Sequence, residues 1–281
     1  MSAVPGRPRR PDLPLAVVIG AGGMGSAVAR RMAQTHRVLL ADIDGDAAQA
    51  QADLLARDGA DVYTLACDVT NTAAVAALSG MAQGLGGFRS LVHVAGLSIG
   101  ADDFSKILSV NLRGPALVVA ALRPLARAGA NAVVIASLAA HSVRPSQALL
   151  EALGTPLAPD LADRVTAVLG AEKATPAAAY ALSKLGLLEM ARREAMDWGR
   201  VGARIVSLSP GLIATPMGAL AYEKSAGKRA MFEQSPLSRE GSISEIADAV
   251  EFLASDRASF ISGTDLLVDG GLAAALGYPR D

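Results

Sequence analysis

The stretch that decides the fold is LAVVIGAGGMGSAVARRM, residues 15–32. Its first six residues form a continuous apolar run that ends in glycine, typical of a parallel strand buried on both faces. A helix is predicted to follow from about Ser26. Between them lies the pattern G-x-G-x-x-G, whose glycines let the backbone turn tightly and approach a pyrophosphate at the helix N-terminus. The predicted phosphate-binding residues are Gly20, Gly22, Gly23, Met24 and Gly25.

The alternation of strand and helix continues along the chain. Strands are predicted over 37–42, 61–68, 90–96, 131–137, 203–210 and 265–271, and helices over 46–57, from about 72, 103–128, 175–199 and 243–254. The last of these helices is expected to open with a capping box of Ser242 and Glu245. Seven strands with helical crossovers predict a parallel sheet covered by helices on both faces, an α/β doubly wound Rossmann-type fold. Without a linker or repeat, residues 15–281 are expected to form one domain behind a flexible tail, 1–14.

Composition and charge limit the kinds of partner and site that we expect for this chain. The 281 residues are 51% hydrophobic but 4% aromatic, which suits helices packed on a parallel sheet. A net charge of −1 gives no field for nucleic acid or an acidic membrane, so neither partner is expected. The lone Cys67 allows no intrachain disulfide, and the dispersed histidines predict no metal site. No signal peptide or membrane-spanning run is expected, and the predicted location is cytoplasmic.

Coenzyme preference is predicted from the end of the second strand. Asp42 follows Gly20 by about 20 residues, where a carboxylate can accept hydrogen bonds from the ribose hydroxyls of NAD. The same charge would repel the 2′-phosphate of NADP, and residues 42–46 contain no lysine or arginine to neutralise it. NAD(H) is therefore favoured over NADP(H). Ile43 is expected to contact the coenzyme beside Asp42, whereas Asp44 is interpreted as a helix cap or a solvated residue.

Tyr180 and Lys184 form the pattern Y-x-x-x-K on a predicted helix. This spacing places the two side chains on one face, one turn apart. A tyrosine normally titrates near pH 10. A neighbouring ammonium would favour the phenolate and lower that pKa, making the tyrosine a better acid and base near neutrality.

Taken together, the ordered motifs resemble the short-chain dehydrogenase/reductase family over roughly residues 15–272. The resemblance rests on their order and on their placement at strand ends. Besides the glycine loop and Tyr180…Lys184, the motifs are Cys67-Asp68-Val69-Thr70, His93-Val94-Ala95-Gly96, Val110-Asn111, Ile135-Ala136-Ser137, Pro210-Gly211-Leu212-Ile213-Ala214-Thr215 and Val268-Asp269-Gly270-Gly271.

The resemblance implies a role for each catalytic candidate. Tyr180 would exchange a proton with the substrate oxygen, and Lys184 would lower the tyrosine pKa and bind the nicotinamide ribose. Ser137 would hydrogen-bond the same substrate oxygen, and Asn111 would sustain a water-linked proton path. Further coenzyme contacts implied by the resemblance are Asp68, Val69, Ala95, Gly96, Pro210, Gly211, Ile213 and Thr215.

Two motifs depart from the family pattern. The glycine loop has two residues between Gly20 and Gly23, where the family usually has three. The fourth-strand motif begins His93-Val94 where the family usually has two asparagines, whose amides brace the central strands. We expect His93 to act as a structural hydrogen-bonding residue rather than a catalytic one.

The segment between Ser137 and Tyr180 is about 30 residues longer than the family usually has. This insertion, 141–174, contains two short apolar helical faces and is reminiscent of hydroxysteroid dehydrogenase/carbonyl reductase members. We expect it to pack near the active-site mouth or at a subunit boundary, with a surface decoration as the alternative. The faces are Leu149, Leu150 and Leu153, and then Leu161, Val165 and Val168 behind Asp160 as N-cap.

The favoured function is NAD(H)-dependent interconversion of a secondary alcohol and a ketone on an apolar substrate, with hydroxysteroid-like compounds among the candidates. The alternatives are a 3-ketoacyl-thioester reductase and a non-catalytic NAD(H)-binding sensor or scaffold. Enoyl reduction is disfavoured because that family branch widens the Tyr–Lys spacing. A homodimer or homotetramer is expected through the long helices. Apolar contacts are expected from the 212–235 loop: Leu212, Met217, Leu220, Tyr222, Met231 and Phe232.

Overall fold

The chain is described by a computed structural model over residues 12–98, 100–101, 103–215 and 226–278. Most of the predicted tail lies outside these residues. So do three predicted substrate contacts, namely Met217, Leu220 and Tyr222.

Seven parallel strands form the central sheet, in the order β3-β2-β1-β4-β5-β6-β9. The order reverses between β1 and β4, which confirms the predicted doubly wound fold. Strands β4, β5 and β9 end two or three residues before the predicted limits, because the chain leaves the ladder there and turns into loops. The strands are β1 Leu15–Ile19, β2 Arg37–Asp42, β3 Val62–Ala66, β4 Ser90–His93, β5 Asn131–Ile135, β6 Arg204–Pro210, β7 Ile213–Ala214, β8 Gly241–Ser242 and β9 Asp265–Val268, with β7 and β8 paired separately.

The helices cover both faces of the sheet. The predicted capping box of Ser242 and Glu245 is confirmed, as both reciprocal hydrogen bonds are present. The long helix predicted over 103–128 is interrupted by a π-helical turn, Ser109–Arg113. The helices are α1 Gly23–Met32, α2 Gly45–Arg57, α3 Thr72–Gly84, α4 Phe104–Leu108, α5 Gly114–Leu122, α6 Leu138–His141, α7 Gln147–Leu153, α8 Leu161–Leu169, α9 Pro176–Arg200, α10 Ala226–Glu233, α11 Ile243–Ala254 and α12 Leu272–Ala275.

Two hydrophobic clusters sandwich the sheet. One lies between the strands and α1, α2 and α11, with Val28, Met32 and Val250 fully or almost fully buried. The larger cluster packs α3, α5 and α9 on the opposite face and includes the buried Trp198. Along β1 and β2 the side chains alternate between the two clusters, so both faces of the sheet are covered, as its continuous apolar runs predict.

One helical stretch, Phe104–Leu125, is long and apolar enough to cross a membrane by length and composition, with a mean hydropathy of 1.2. No membrane-spanning run was predicted from the sequence. In the structure, 56% of its most apolar window is buried inside the protein. Helix α5 within this stretch packs against α3 in the larger core cluster. Core packing therefore accounts for its apolar composition.

The insertion contributes α7 and α8, and it is part of the core rather than a surface decoration. Leu149, Leu153 and Val165 join the larger cluster with α5 and α9. One detail of the prediction was wrong, because Val168 is 40% exposed and lies off the buried face. Asp160 is the N-cap residue of α8 as predicted, although its side chain caps no backbone N–H and pairs instead with Arg164.

The burial of the insertion gives a stability test with a matched control. Leu153→Ala removes a side chain with no exposed surface and is expected to lower the free energy of unfolding by about 2–5 kcal/mol. Leu157→Ala makes the same change at a residue that is 44% exposed, and should alter that free energy by less than about 1 kcal/mol. Urea unfolding measures both. Equal effects would show that the insertion is not packed as described.

Candidate active site

The predicted site residues meet at the carboxyl edge of the sheet, around the point where the strand order reverses. Gly20 follows β1, and Ala95 follows β4, which is the neighbour of β1. The backbone N–H groups of Val94 and Ala95 both donate to Ile19 O, at 2.9 Å, and so hold the two strand ends together. Ligands of doubly wound sheets bind in the crevice at this position.

The glycine loop requires glycine at two of its positions. Gly20 has φ +107°, and a Cβ there would lie 2.9 Å from Ala95 N. A Cβ on Gly25 would lie 2.0 Å from Gly20 O, so α1 and the loop are in direct backbone contact. Gly22 differs, because a Cβ there would meet nothing within 4 Å. The loop thus presents open space at the N-terminus of α1, despite being one residue shorter than the family pattern.

That helix N-terminus is suited to an anion. Gly22 is the N-cap of α1 and offers no capping side chain, and the first turn contains no acidic residue. The first N–H groups of a helix lack intrahelical acceptors and carry the positive end of the helix dipole. An anionic group such as a pyrophosphate would accept hydrogen bonds from these N–H groups and would be attracted by the positive end of the dipole.

Asp42 is joined to the glycine loop. Its Oδ2 accepts a hydrogen bond from Ala21 N at 2.6 Å, and its Oδ1 accepts one from Asp44 N at 2.9 Å. A carboxylate has about four acceptor sites, so these two bonds leave capacity for hydroxyl donors. Asp44 is the N-cap of α2, accepting from Asp46 N and Ala47 N, and this confirms its interpretation as a helix cap. Ile43 is 72% exposed beside them.

Ser137 and Tyr180 are brought together by α6 and α9. Ser137 is the N-cap of α6, its hydroxyl accepting from Ala139 N at 3.2 Å, and its side chain lies close enough to the Tyr180 phenol to act on the pKa of that group. Burial raises the pKa of Tyr180, and the Ser137 side chain opposes this shift without reversing it. The sequence expectation that Lys184 would lower this pKa is not met, because loss of water around the phenol is the larger effect.

Lys184 is 5% exposed and donates a hydrogen bond to Ile135 O, at 2.9 Å. Its Nζ lies 5.9 Å from the centre of the Tyr180 ring. Burial lowers the pKa of Lys184 to about 8. The ammonium therefore ties α9 to the end of β5 and remains within reach of the crevice.

Asn111 is fully buried in the π-helical turn between α4 and α5. Its side-chain amide satisfies both backbone groups of Leu97, accepting from N at 2.6 Å and donating to O at 3.0 Å. A Cβ on Gly96 would lie 3.1 Å from Asn111 Oδ1 and 3.6 Å from Lys184 Nζ. The structure thus brings Asn111, Gly96 and Lys184 together beneath the crevice.

His93 is 1% exposed, and burial beside Lys184 lowers its pKa to about 3, so the ring is neutral. Its Nε2 finds no hydrogen-bond partner among the described residues. The hydrogen bond that affects the pKa of the ring comes from the backbone of His93 itself. The expectation of a structural hydrogen-bonding residue is therefore wrong as far as bonds to other strands are concerned.

The remaining predicted coenzyme contacts lie around the same edge. Asp68 Oδ1 accepts from Thr70 N and Thr70 Oγ1, at 2.8 and 2.7 Å, whereas Val69 is buried against Gly114. Pro210 ends β6, and Gly211 packs on Asp269, where a Cβ would approach Asp269 Cα to 2.6 Å. Next along the chain, Ile213 lies in β7 and Thr215 follows it.

Beside Ser137 lies an apolar wall, of which only Leu212 and Met231 were predicted from the sequence. Leu138, which follows Ser137, packs with Leu272 and Ala273 of α12. Around them lie partly buried side chains from the base of the 212–235 loop and from the C-terminal segment. These are Leu212, Met231, Leu267, Leu276 and Tyr278, which with Leu138, Leu272 and Ala273 form what we call the C-terminal wall.

Comparison with known proteins decides the family. A family model described as enoyl-(acyl carrier protein) reductase matches residues 19–157 and 164–273, and the break covers the loop before α8 and the first residues of that helix. A short-chain dehydrogenase/reductase of Alternaria brassicicola is 34% identical over 277 residues, covering 92% of this chain and 96% of the relative. The chain belongs to the short-chain dehydrogenase/reductase family.

Two further short-chain dehydrogenase/reductase relatives carry named activities. D-threitol dehydrogenase of Mycolicibacterium smegmatis is 30% identical, covering 93% of this chain and 94% of the relative. The crystal structure of levodione reductase is 25% identical, with a TM-score of 0.75, covering 93% of this chain and 98% of that chain. Short-chain dehydrogenases use nicotinamide coenzymes, and the open helix N-terminus, the free acceptor capacity of Asp42 and the buried Lys184 fit such a group.

The open space at Gly22 gives a test of the coenzyme site. Gly22→Ala adds a methyl group that meets no protein atom, and Gly22 has φ −70°, so the melting temperature should be unchanged. The methyl group would occupy the space predicted for the pyrophosphate and should weaken NADH binding by about tenfold or more, measured by nicotinamide fluorescence. Unchanged NADH affinity would place the coenzyme elsewhere.

Proposed function

We propose that this short-chain dehydrogenase/reductase interconverts a secondary alcohol and a ketone on an apolar substrate, using NAD(H). The observation that carries the proposal is the juxtaposition of the Ser137 and Tyr180 side chains at the carboxyl edge of the sheet, with Lys184 buried beside the tyrosine ring. Two hydroxyl groups that meet at one point can hydrogen-bond a single substrate oxygen.

In the proposed reduction, Ser137 and Tyr180 hold the carbonyl oxygen of the ketone. A nicotinamide coenzyme held by the glycine loop and Asp42 would supply the hydride for the carbonyl carbon. Tyr180 donates its phenolic proton to the oxygen as negative charge develops there, and its raised pKa keeps that proton in place beforehand. Lys184 stabilises the resulting phenolate from one turn along α9, and Asn111 fixes the loop at Leu97 beside it. Alcohol oxidation reverses each step.

Asp42 supports NAD(H) as the coenzyme. Its carboxylate lies at the end of β2, is held by Ala21 N and Asp44 N, and keeps acceptor capacity for ribose hydroxyls. A 2′-phosphate at the same place would meet a carboxylate fixed by two backbone bonds, so it could not escape repulsion by moving the side chain.

The C-terminal wall supports an apolar substrate. Leu138 joins the catalytic Ser137 directly to this wall, so the oxygen-binding pair lies at its edge. Partly buried Leu212, Met231 and Tyr278 are positioned to contact an alicyclic or similarly bulky carbon skeleton, and methionine adapts to irregular shapes. We also propose a homo-oligomer and a cytoplasmic location, as expected from the sequence.

The matched family model is described as an enoyl reductase, which is a competing activity. The one-turn spacing of Tyr180 and Lys184 supports the alcohol–ketone reaction instead, as the sequence resemblance implies. Retention of Asn111, Ser137, Tyr180 and Lys184 in one cluster also favours an enzyme over a sensor.

Tyr180→Phe tests the proposed acid directly. It removes the hydroxyl group while keeping the ring that packs on the core, and kcat for ketone reduction by NADH should fall about 10²–10⁴-fold. NADH binding should be nearly unchanged. Reduction by Tyr180→Phe at the unmodified rate would exclude the tyrosine as proton donor.

In the unmodified protein, kcat for reduction should decline as pH rises through about 8, because Lys184 then loses its charge.

Asp42→Ala tests coenzyme selection, with Asp44→Ala as its matched control. Both changes remove one carboxylate from the same loop, but the first should reduce the preference for NADH over NADPH by about tenfold or more. Asp44→Ala should retain the preference and lower the free energy of unfolding by about 1 kcal/mol through loss of the α2 cap. Kd values for both coenzymes and urea unfolding measure these effects. An equal loss of preference in both variants would contradict a specific role for Asp42.

A further inference from the structure

Three polar side chains from separate elements meet near the catalytic serine. His141 ends α6, Asp265 begins β9 and Ser207 lies within β6. His141 Nε2 lies 3.0 Å from Asp265 Oδ2, and Ser207 Oγ donates to Asp265 Oδ1 at 2.6 Å. The His141 and Asp265 side chains are 17% and 11% exposed, and Ser207 is fully buried.

The two hydrogen bonds of the Asp265 carboxylate have different structural roles. Ser207 and Asp265 are register partners on neighbouring strands, so their hydrogen bond supports the contact between β6 and β9. The His141 bond instead joins α6 to the sheet. An ionised carboxylate only accepts hydrogen bonds, so His141 Nε2 is the donor. Because Ser207 fixes the carboxylate from the other side, His141 bonds to a group that cannot swing away.

Helix α6 needs such an anchor. It has four residues, a length at which a helix is not stable on its own. Ser137 caps its N-terminus, and the insertion begins where it ends. At one end Leu138 packs on the C-terminal wall. At the other end His141 is bonded to Asp265, so the single turn is fastened to the protein on both sides.

We propose that His141 is a positioning residue for Ser137. Its bond to Asp265 fixes α6 so that the Ser137 hydroxyl stays aligned with Tyr180. This inference rests on the proposed alcohol–ketone reaction. His141 touches no reacting atom and acts through the helix that Ser137 caps.

The test compares His141→Ala with His141→Gln, whose amide can donate one hydrogen bond at a similar reach. His36→Ala is the matched control, since His36 is a partly buried histidine that precedes β2 at the opposite edge of the sheet. Ketone reduction, NADH binding and hydrogen exchange of a peptide over 131–141 are measured for each variant. His141→Ala should lower kcat about 10- to 100-fold by misplacing Ser137 and should raise exchange in α6, with NADH affinity within about twofold of the unmodified protein.

His141→Gln should restore kcat to within a few-fold of the unmodified protein and restore protection in α6, whereas His36→Ala should change neither. If His141→Ala does not fold, Ser207→Ala replaces it and should give a smaller fall in kcat, because Asp265 keeps the His141 bond. Unchanged kcat and exchange in His141→Ala, or no rescue by glutamine, would overturn the proposal. Absence of turnover in the unmodified protein would instead refute the proposed function, and exchange in α6 would still decide whether His141 anchors the helix.

Discussion

The burial of the Lys184 ammonium is the constraint around which the site is organised. A buried charge without partners costs several kcal/mol, so the ammonium needs a strong acceptor within the protein. Ile135 O supplies it, and the chain leaves the sheet immediately beyond Ile135, where Ser137 turns into α6. Helix α9 must then cross the end of β5, and this crossing places Tyr180 beside Ser137.

The buried Lys184 ammonium also lies against the loop that follows β4, and the π-helical turn contacts the same loop. A Cβ at Gly96 would lie 3.1 Å from Asn111 Oδ1 and 3.6 Å from Lys184 Nζ, so both side chains line the backbone of the loop after β4. Leaving the ladder at His93 frees the backbone groups of Leu97, and the Asn111 amide satisfies both of them. The π-helical turn containing Asn111 therefore fixes the backbone of the loop after β4 at Leu97.

Sequence patterns predicted the features set by local chemistry. The apolar runs of the seven strands, the capping box at Ser242 and the cap at Asp44 depend on neighbouring residues, and all are found. Features that depend on tertiary packing were either not predicted or predicted wrongly. The π-helical turn at Asn111 differs from an α-helix by one residue per turn, and the raised pKa of Tyr180 depends on how much water α6 and α9 exclude. The C-terminal wall joins Leu138 to residues more than 100 positions later, a contact that periodicity cannot reveal.

Burial acts on Tyr180 and Lys184 in opposite directions, and this sets the order in which they lose their protons. It raises the pKa of the phenol above its ordinary value and lowers that of the ammonium to about 8. As pH rises, Lys184 therefore loses its proton first, and the phenol keeps its own. Below pH 8 the pair consists of a neutral phenol and a charged ammonium, the state in which Tyr180 can donate to a developing alkoxide while Lys184 stabilises the phenolate left behind.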